Sequence, residues 1–405
     1  MSETTTTTGG LPPPDRASQI LTQARAMMDD LHLGPVQRWK EANPGGLAIG
    51  YMPVYVPRPL FEAIGCLPVS IFGGGDQVDI IRGDSYFQSY ICHIPRSTIE
   101  LGLNGHLKSL DGMVFPSLCD VIRNLGGMWK MLFPDRWSSY LDLPQNFALH
   151  LGGKFYAQEL KRIARELHER GAKAYDPEAL RQAIRNENRR RLAINVLDDL
   201  RRREPWRLPT SDMYVLLRAG GLMPSLDHAQ MLEEFADAVR ARPARPFDNV
   251  RVVMVGSFCE QPPLDLIRTL EKSGCDIVDD DLQLGLRYIE AAIDADTADP
   301  LEALANAFIT DGAATASRYI GTAEKGRALI DKVKATKADG VVFAAASFCD
   351  PALLDQPMQE AALERAGIPF TSFKFAENTG QFQVIREQAG AFSDSVKLWG
   401  GPSNE

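Results

Sequence analysis

The sequence predicts an α/β protein: two Rossmann- or flavodoxin-like parallel-sheet domains, a helical N-terminus and a helical insertion between the sheets. Three observations predict it. Short apolar runs such as VRVVMV and GVVFAAA have the near-continuous hydrophobicity of strands buried on both faces. These runs alternate with amphipathic helical stretches, the rhythm of βαβ units. At 405 residues the chain is also too long for one ordinary core.

The elements follow in order. Residues 1–14 (MSETTTTTGGLPPP) are polar, lack an apolar signal core and read as a disordered leader. Residues 15–150 read as an α/β domain with leading helices. Helical periodicity runs over 15–43, with Asp15 as its cap. LAIGYMPVYVP (47–57) reads as a buried strand, and PLFEAIGCLPVSIFGGGD (59–76) as a short helix, a strand and a Gly-rich turn. DGMVFPS (111–117) is a strand entering a helix capped by Ser117, and SSYLDLPQN (138–146) a further strand. Residues 151–245 are rich in Arg, Glu, Leu and Ala and read as a helical insertion, closed by the linker RPARPF (242–247). Its basic runs, Arg189 to Arg191 and Arg201 to Arg203, read as a solvated helix face, with an anion or partner contact as the alternative. Residues 246–405 repeat the βαβ rhythm: strands at NVRVVMVGSF (249–258) and ADGVVFAAASFCDP (338–351), a long helix over about 315–335, a strand at IPFTSFKF and a C-terminal helix.

Composition narrows function. Acidic residues outnumber basic ones, 53 to 44, for a formal charge of −9. That argues against general binding to nucleic acid or anionic membrane. No apolar run is long enough to span a bilayer, and a cytoplasmic location is expected. Six cysteines there imply reduced or metal-bound thiols. The GGGD turn (73–76) lacks GxGxxG spacing, GTAEKGRA is no phosphate-binding loop, and GxSxG and HExxH are absent. Asp279 to Asp281 read as a solvated loop or helix cap, with a divalent cation site as the alternative.

Cys92 (SYICHIPRS), Cys119 (VFPSLCDVIR) and Cys349 (VFAAASFCDP) each read as a strand end turning into a helix, where ligands bind in parallel α/β folds. Thiolates converging there would hold a soft metal or an iron–sulfur cluster. No CxxC is present, so a buried thiol acting as a small hydrophobe is the competing reading. Polar and turn-forming neighbours favour the metal. Cys66 and Cys275 fit core positions near strand starts, and Cys259 is open between the two roles. His93 beside Cys92 reads as a core or surface histidine, with proton donation as the alternative.

GYMPVYVPRPLFEAIGCLPVSIFGGG, SYICHIPRSTIELGL, DGMVFPSLCDVIRNLGGMWK, GSFCEQPPLDLIRTLEKSGCDIVDDD, DGVVFAAASFCDPALLDQP and FKFAENTGQFQVIREQAGAF resemble, in the same order, the 2-hydroxyacyl-CoA dehydratase and benzoyl-CoA reductase superfamily. The GGGD turn, the SYIC segment and the ENTGQFQVIREQAG tail are most similar to C (gamma) subunits of the reductase branch. The resemblance implies a 4Fe–4S cluster on Cys92, Cys119 and Cys349 that leaves one iron without a protein thiolate. It also implies a homologous B-type (beta) partner subunit, ATP-hydrolysing activator subunits, ferredoxin as electron donor and benzoyl-CoA as substrate. The chain departs from the Arg-rich GQxRTR tail of the dehydratases: it keeps Gln381 and offers only Arg386, so no dehydratase substrate contact carries over. The alternatives are a 2-hydroxyacyl-CoA dehydratase subunit and a non-catalytic scaffold partner.

Overall fold

The computed structural model describes residues 15–88, 90–257, 262–282, 287–318, 324–376 and 382–399. The expected architecture is present: two four-stranded, fully parallel sheets among many helices. The first contains β1 (Leu47–Tyr51), β2 (Cys66–Ser70), β3 (Gly112–Pro116) and β4 (Trp137–Leu141) in the order β2-β1-β3-β4. The second contains β5 (Val250–Val255), β6 (Cys275–Asp280), β7 (Gly340–Ala346) and β8 (Phe370–Phe375) in the order β6-β5-β7-β8. Each order places the half's second strand outside its first, so the halves share one topology with a switch point between β1 and β3 and between β5 and β7. Ligands bind at such points.

The strand sequences explain the burial. On β5, Val252 and Met254 enter the main core, while Val253 and Val255 enter a second cluster with Leu329, Val333, Val341, Phe343 and Leu363. Alternate side chains leave opposite faces, so a strand covered on both sides reads as an unbroken apolar run. Pro68 is tolerated in β2 because β2 is an edge strand and needs no outward N–H.

The helices of the first half are α1 (Arg16–Asp29), α2 (Gly34–Ala42), α3 (Arg58–Ala63), α4 (His93–Leu103) and α5 (Asp120–Leu132). Asp15 caps α1 by accepting the Ser18 N–H at 2.8 Å, as its sequence suggests. The helical stretch over 15–43 breaks in two at Leu33, which takes a left-handed φ of 56° while the Asp30 carboxylate accepts the N–H groups of His32 and Gly34. The middle of the chain forms α6 (Lys154–His168), α7 (Pro177–Arg203), α8 (Thr210–Ala219) and α9 (Ser225–Arg240). The second half adds α10 (Leu264–Lys272), α11 (Pro300–Thr310), α12 (Arg327–Thr336), α13 (Asp350–Ala366) and α14 (Phe382–Trp399). Of the helix expected over about 315–335, α12 starts at Arg327, after Gly326, whose left-handed φ of 88° cannot continue a helix backward; residues 319–323 lie outside the described residues.

The basic runs are only in part a solvated face: Arg189 and Arg203 are exposed, but the others turn inward. Helix α7 packs against α3, α9 and β6, which buries Arg190, Arg191 and Arg201. Arg190 pairs with Glu187. Arg201 donates to Asp198 at 3.0 Å, to Thr210 Oγ1 at 2.9 Å and to Asp280. Arg202 reaches Asp279 at 2.6 Å, and Lys332 reaches it at 2.9 Å. The acidic run is therefore the other half of this network and not a solvated loop. Burial opposes charge on Asp279, but Lys332, Arg201 and Arg202 outweigh it and hold its carboxyl well below the usual range. Buried charges of this kind persist only in pairs.

A half-buried carboxylate gives the fold a pH dependence. Glu271 of α10 accepts the Ser211 N–H at 2.9 Å and the Ser211 hydroxyl at 2.7 Å, which satisfies the first turn of α8. Burial pushes its carboxyl up to about 7, with Ser211 opposing and Asp212 and Asp276 adding to the rise. A raised carboxyl contributes its full stability below the unfolded pKa and loses it as pH rises through the folded one. Glu271 should thus withdraw roughly 2–3 kcal/mol between pH 5 and pH 8. Urea unfolding at both pH values should show that loss shrinking in Glu271→Gln; equal losses in both proteins would contradict this assignment.

Candidate functional site at the strand exits

Cys119 and Cys349 occupy equivalent places in the two halves. Each follows the third strand of its sheet, β3 or β7, and is the N-cap of the next helix, α5 or α13. The approach is built alike. The Ser117 N–H donates to Leu141 O at the end of β4 (2.9 Å), and the Ser347 N–H donates to Phe375 O at the end of β8 (2.7 Å). Both segments read Ser-x-Cys-Asp, Ser117 to Asp120 and Ser347 to Asp350. Ser117, the expected cap, serves elsewhere. Its hydroxyl accepts the Leu143 N–H at 2.7 Å and fastens the β4 exit. Phe348, between Ser347 and Cys349, has a left-handed φ of 68° and a largely exposed ring. Strain of this sort at a non-glycine residue concentrates at functional sites.

The exit of β5 supports this edge from below. Asp281 is half-buried and accepts the N–H groups of Gly256 (2.8 Å) and Ser257 (3.1 Å). Desolvation pushes its carboxyl up to about 6, the two N–H groups oppose this, and Asp280 adds to it. Ser257 in turn bonds Ala344 O on β7. Cys259, two residues further on, lies outside the described residues.

Cys92 reaches its place differently. It is a buried N-cap, on α4, but no strand leads directly into it. The chain leaves β2 at Ser70 and makes two 3₁₀ turns, Gly75–Gln77 and Gly83–Ser85, before Cys92. The expectation of a strand end at SYIC is corrected accordingly. The buried carboxylate of Glu100 on α4 holds this loop by accepting the N–H groups of Ile81, Arg82 and Gly83 at 3.0, 2.7 and 2.8 Å. Burial works against its charge, yet those three donors and Asn104 keep its carboxyl below the usual value. Gly73 sits so close to α4 that a Cβ would lie 2.2 Å from Ser97 Oγ. Helix α4 also packs on α5, the helix that Cys119 heads. His93 is buried in the first turn of α4.

The electrostatics favour a neutral thiol at Cys119 until a cation arrives. Burial pushes Cys119 up to about 11; the N–H groups of Ile122 and Val121 counter it, and Cys349 and Asp120 raise it further. Cys119 and Cys349 are thus electrostatic neighbours across the two halves. Among the described residues, no three His, Cys, Asp or Glu side chains are grouped to hold a metal ion. The donor chemistry nevertheless fits a soft metal: such thiols become anionic donors when a metal replaces the proton, and each heads a helix whose N-terminus favours negative charge. Cys66 and Cys275 open β2 and β6, at the opposite ends of the strands, and burial pushes both up to about 12.

The two halves are pinned together beside this edge. Tyr55, in the loop after β1, has a left-handed φ of 69° and accepts the Tyr156 hydroxyl at its carbonyl (3.3 Å). Its ring packs edge-on against Tyr288 and Phe308, with centroids 5.6 and 5.5 Å away. Sequence reasoning missed this cluster, which carries no local motif. It also missed the Ser-x-Cys-Asp repeat, a signal visible in the residues themselves and echoed by Ser257, Phe258, Cys259 and Glu260.

Comparison with known proteins bears on this arrangement. Residues 53–396 match the family described as HGD-D, 2-hydroxyglutaryl-CoA dehydratase, D-component. The C subunit of benzoyl-CoA reductase from Thauera aromatica is 46% identical over 383 residues, 94% of this chain and 99% of that protein. The (R)-phenyllactyl-CoA dehydratase beta subunit of Clostridium sporogenes is 28% identical over 354 residues, covering 87% and 92%. The beta subunit of lactoyl-CoA dehydratase from Anaerotignum propionicum is 25% identical over 383 residues, covering 94% and 100%.

Proposed function

The chain belongs to the HGD-D family of the 2-hydroxyacyl-CoA dehydratase and benzoyl-CoA reductase superfamily, and from that premise we propose that it is the iron–sulfur subunit of an ATP-dependent benzoyl-CoA reductase. The observation that carries the reading is the 46% identity, end to end, with the C subunit of a benzoyl-CoA reductase, against 28% and 25% for dehydratase subunits. The three N-cap cysteines support it. No described helix is long and apolar enough to cross a membrane, in keeping with work in the cytoplasm.

On this reading Cys92, Cys119 and Cys349 would hold a 4Fe–4S cluster. When bound, the cluster supplies one-electron transfer at low potential. The helix N-termini at all three cysteines stabilise the thiolates. Leu118, Ile94 and Ala352, each next to or within a turn of a cysteine, are buried and keep water from the sulfurs. The net reaction adds two electrons and two protons to benzoyl-CoA and gives cyclohexa-1,5-diene-1-carbonyl-CoA. Ferredoxin supplies the electrons, and ATP is hydrolysed on separate activator subunits, since this chain carries no phosphate-binding loop motif. The catalytic pair is completed by a homologous B-type subunit.

The test is an anaerobic assay of the chain co-purified with its partner subunits, given benzoyl-CoA, ATP and a strong reductant. Diene formation is the expected result. Water elimination from a 2-hydroxyacyl-CoA without reduction of benzoyl-CoA would assign the chain to the dehydratases instead.

A further inference from the structure

Helices α5 and α6 and the edge strand β4 line an open cleft of about 770 Å³ on the outer flank of the first sheet. That volume is in the range of small-ligand sites. Five cations line it: Arg123, Lys130, Arg136, Arg162 and Arg170. Arg162 is occupied, because Glu159 and Glu166 pair with it and it donates to Ser139 Oγ and Tyr140 O. The other four are not neutralised. Arg136 donates to the uncharged Leu107 carbonyl, and Arg123 lies 5.9 Å from the Tyr140 ring centroid. Among the described residues none of these four has a carboxylate partner within ion-pair distance, although Glu169 also lines the cavity. Four unmatched cations around one concavity are unexpected on a chain of net charge −9.

The cavity wall adds an independent observation. Gly126 and Gly127 interrupt the middle of α5, where glycine is disfavoured relative to alanine. Gly126 has a packing reason, since a Cβ there would press on the Phe115 ring at 3.1 Å. Gly127 has none: a Cβ there would meet nothing within 4 Å. Bare helix backbone facing a cavity gives a flat surface on which a planar ring can lie. Guanidinium and ammonium groups beside it suit phosphate oxygens.

We propose that this cavity binds a purine nucleotide with two or more phosphate groups, the base against Gly127 and the phosphates on Arg123, Lys130, Arg136 and Arg170. Two sources share that chemistry, a free adenine nucleotide and the nucleotide end of coenzyme A. The second rests on the proposed function; the first does not.

Calorimetric titration of the purified chain with ADP, coenzyme A and pyrophosphate tests the site. The expected result is saturable one-site binding of ADP or coenzyme A, weakened at least tenfold by Arg170→Glu and by Gly127→Leu. Gly127→Ala should raise the melting temperature of the free chain and still weaken binding, which separates loss of the site from loss of the fold. Similar affinities for ADP and coenzyme A indicate a general nucleotide site; a tenfold preference for coenzyme A assigns its nucleotide end. Absence of saturable binding, affinity unchanged in both variants, or pyrophosphate binding as tightly as the nucleotides would overturn the proposal. Iron content, measured on the same variants, should be unchanged, so failure here is distinct from failure of the cysteine reading.

Discussion

Replacing Arg201 by alanine should destabilise the chain by about 3–5 kcal/mol, measured by urea unfolding at neutral pH. The guanidinium is fully buried and joins α7 to β6 through Asp198, Asp280 and Thr210. Its loss takes a buried cation away from Asp198 and Asp280. Asp198 retains Arg287, but Asp280 would lose the guanidinium that it meets beside Asp279 and Asp281. Removing one member of a buried pair costs more than the pair contributes, because the remaining charge keeps its desolvation penalty. Two comparisons isolate the cause. Arg203→Ala, two residues away on an exposed face, should change stability by less than about 0.5 kcal/mol. Arg201→Met combined with Asp280→Leu should recover part of the loss. If both single variants behave alike, the basic runs are a solvated face after all.

Replacing Cys349 or Cys119 by serine should abolish iron binding and lower reductase activity of the assembled enzyme by more than about 100-fold, since even residues that merely orient metal ligands cost 10–100-fold when removed. The fold should survive, because each cysteine is an N-cap, a position where serine is favourable. The contrast is Cys66→Ser or Cys275→Ser. Those thiols open strands and pack in the core, so a hydroxyl there should cost about 1–3 kcal/mol while iron content stays unchanged. Stability and iron content should thus separate the two groups of cysteines in opposite directions.

Much of this architecture was legible in the residues. Strands buried on both faces announce themselves as apolar runs, and β1, β3, β5 and β7 all do so. The positions of Cys119 and Cys349 at strand exits follow from VFPSLCD and VFAAASFCD, where an apolar run gives way to polar and turn-forming residues. Cys92 was less legible. Its loop is ordered by Glu100, a residue further along α4, and nothing in SYIC reveals that link. The charge network was illegible for a related reason. Arg201 and Asp280 lie 79 residues apart, and helical periodicity on α7 treats arginine as solvated by default. Tertiary packing reverses that default wherever a carboxylate from another element arrives with it. Gly326 could have been read as the barrier before α12, but its left-handed conformation is set by the loop it closes.

The most direct test is iron analysis, with EPR of the reduced protein, on anaerobically purified chain and on its Cys119→Ser form. About four iron atoms per chain, a reduced iron–sulfur signal and loss of both in the variant are the predicted result. A colourless, iron-free chain, or a variant that keeps its full iron, would contradict it.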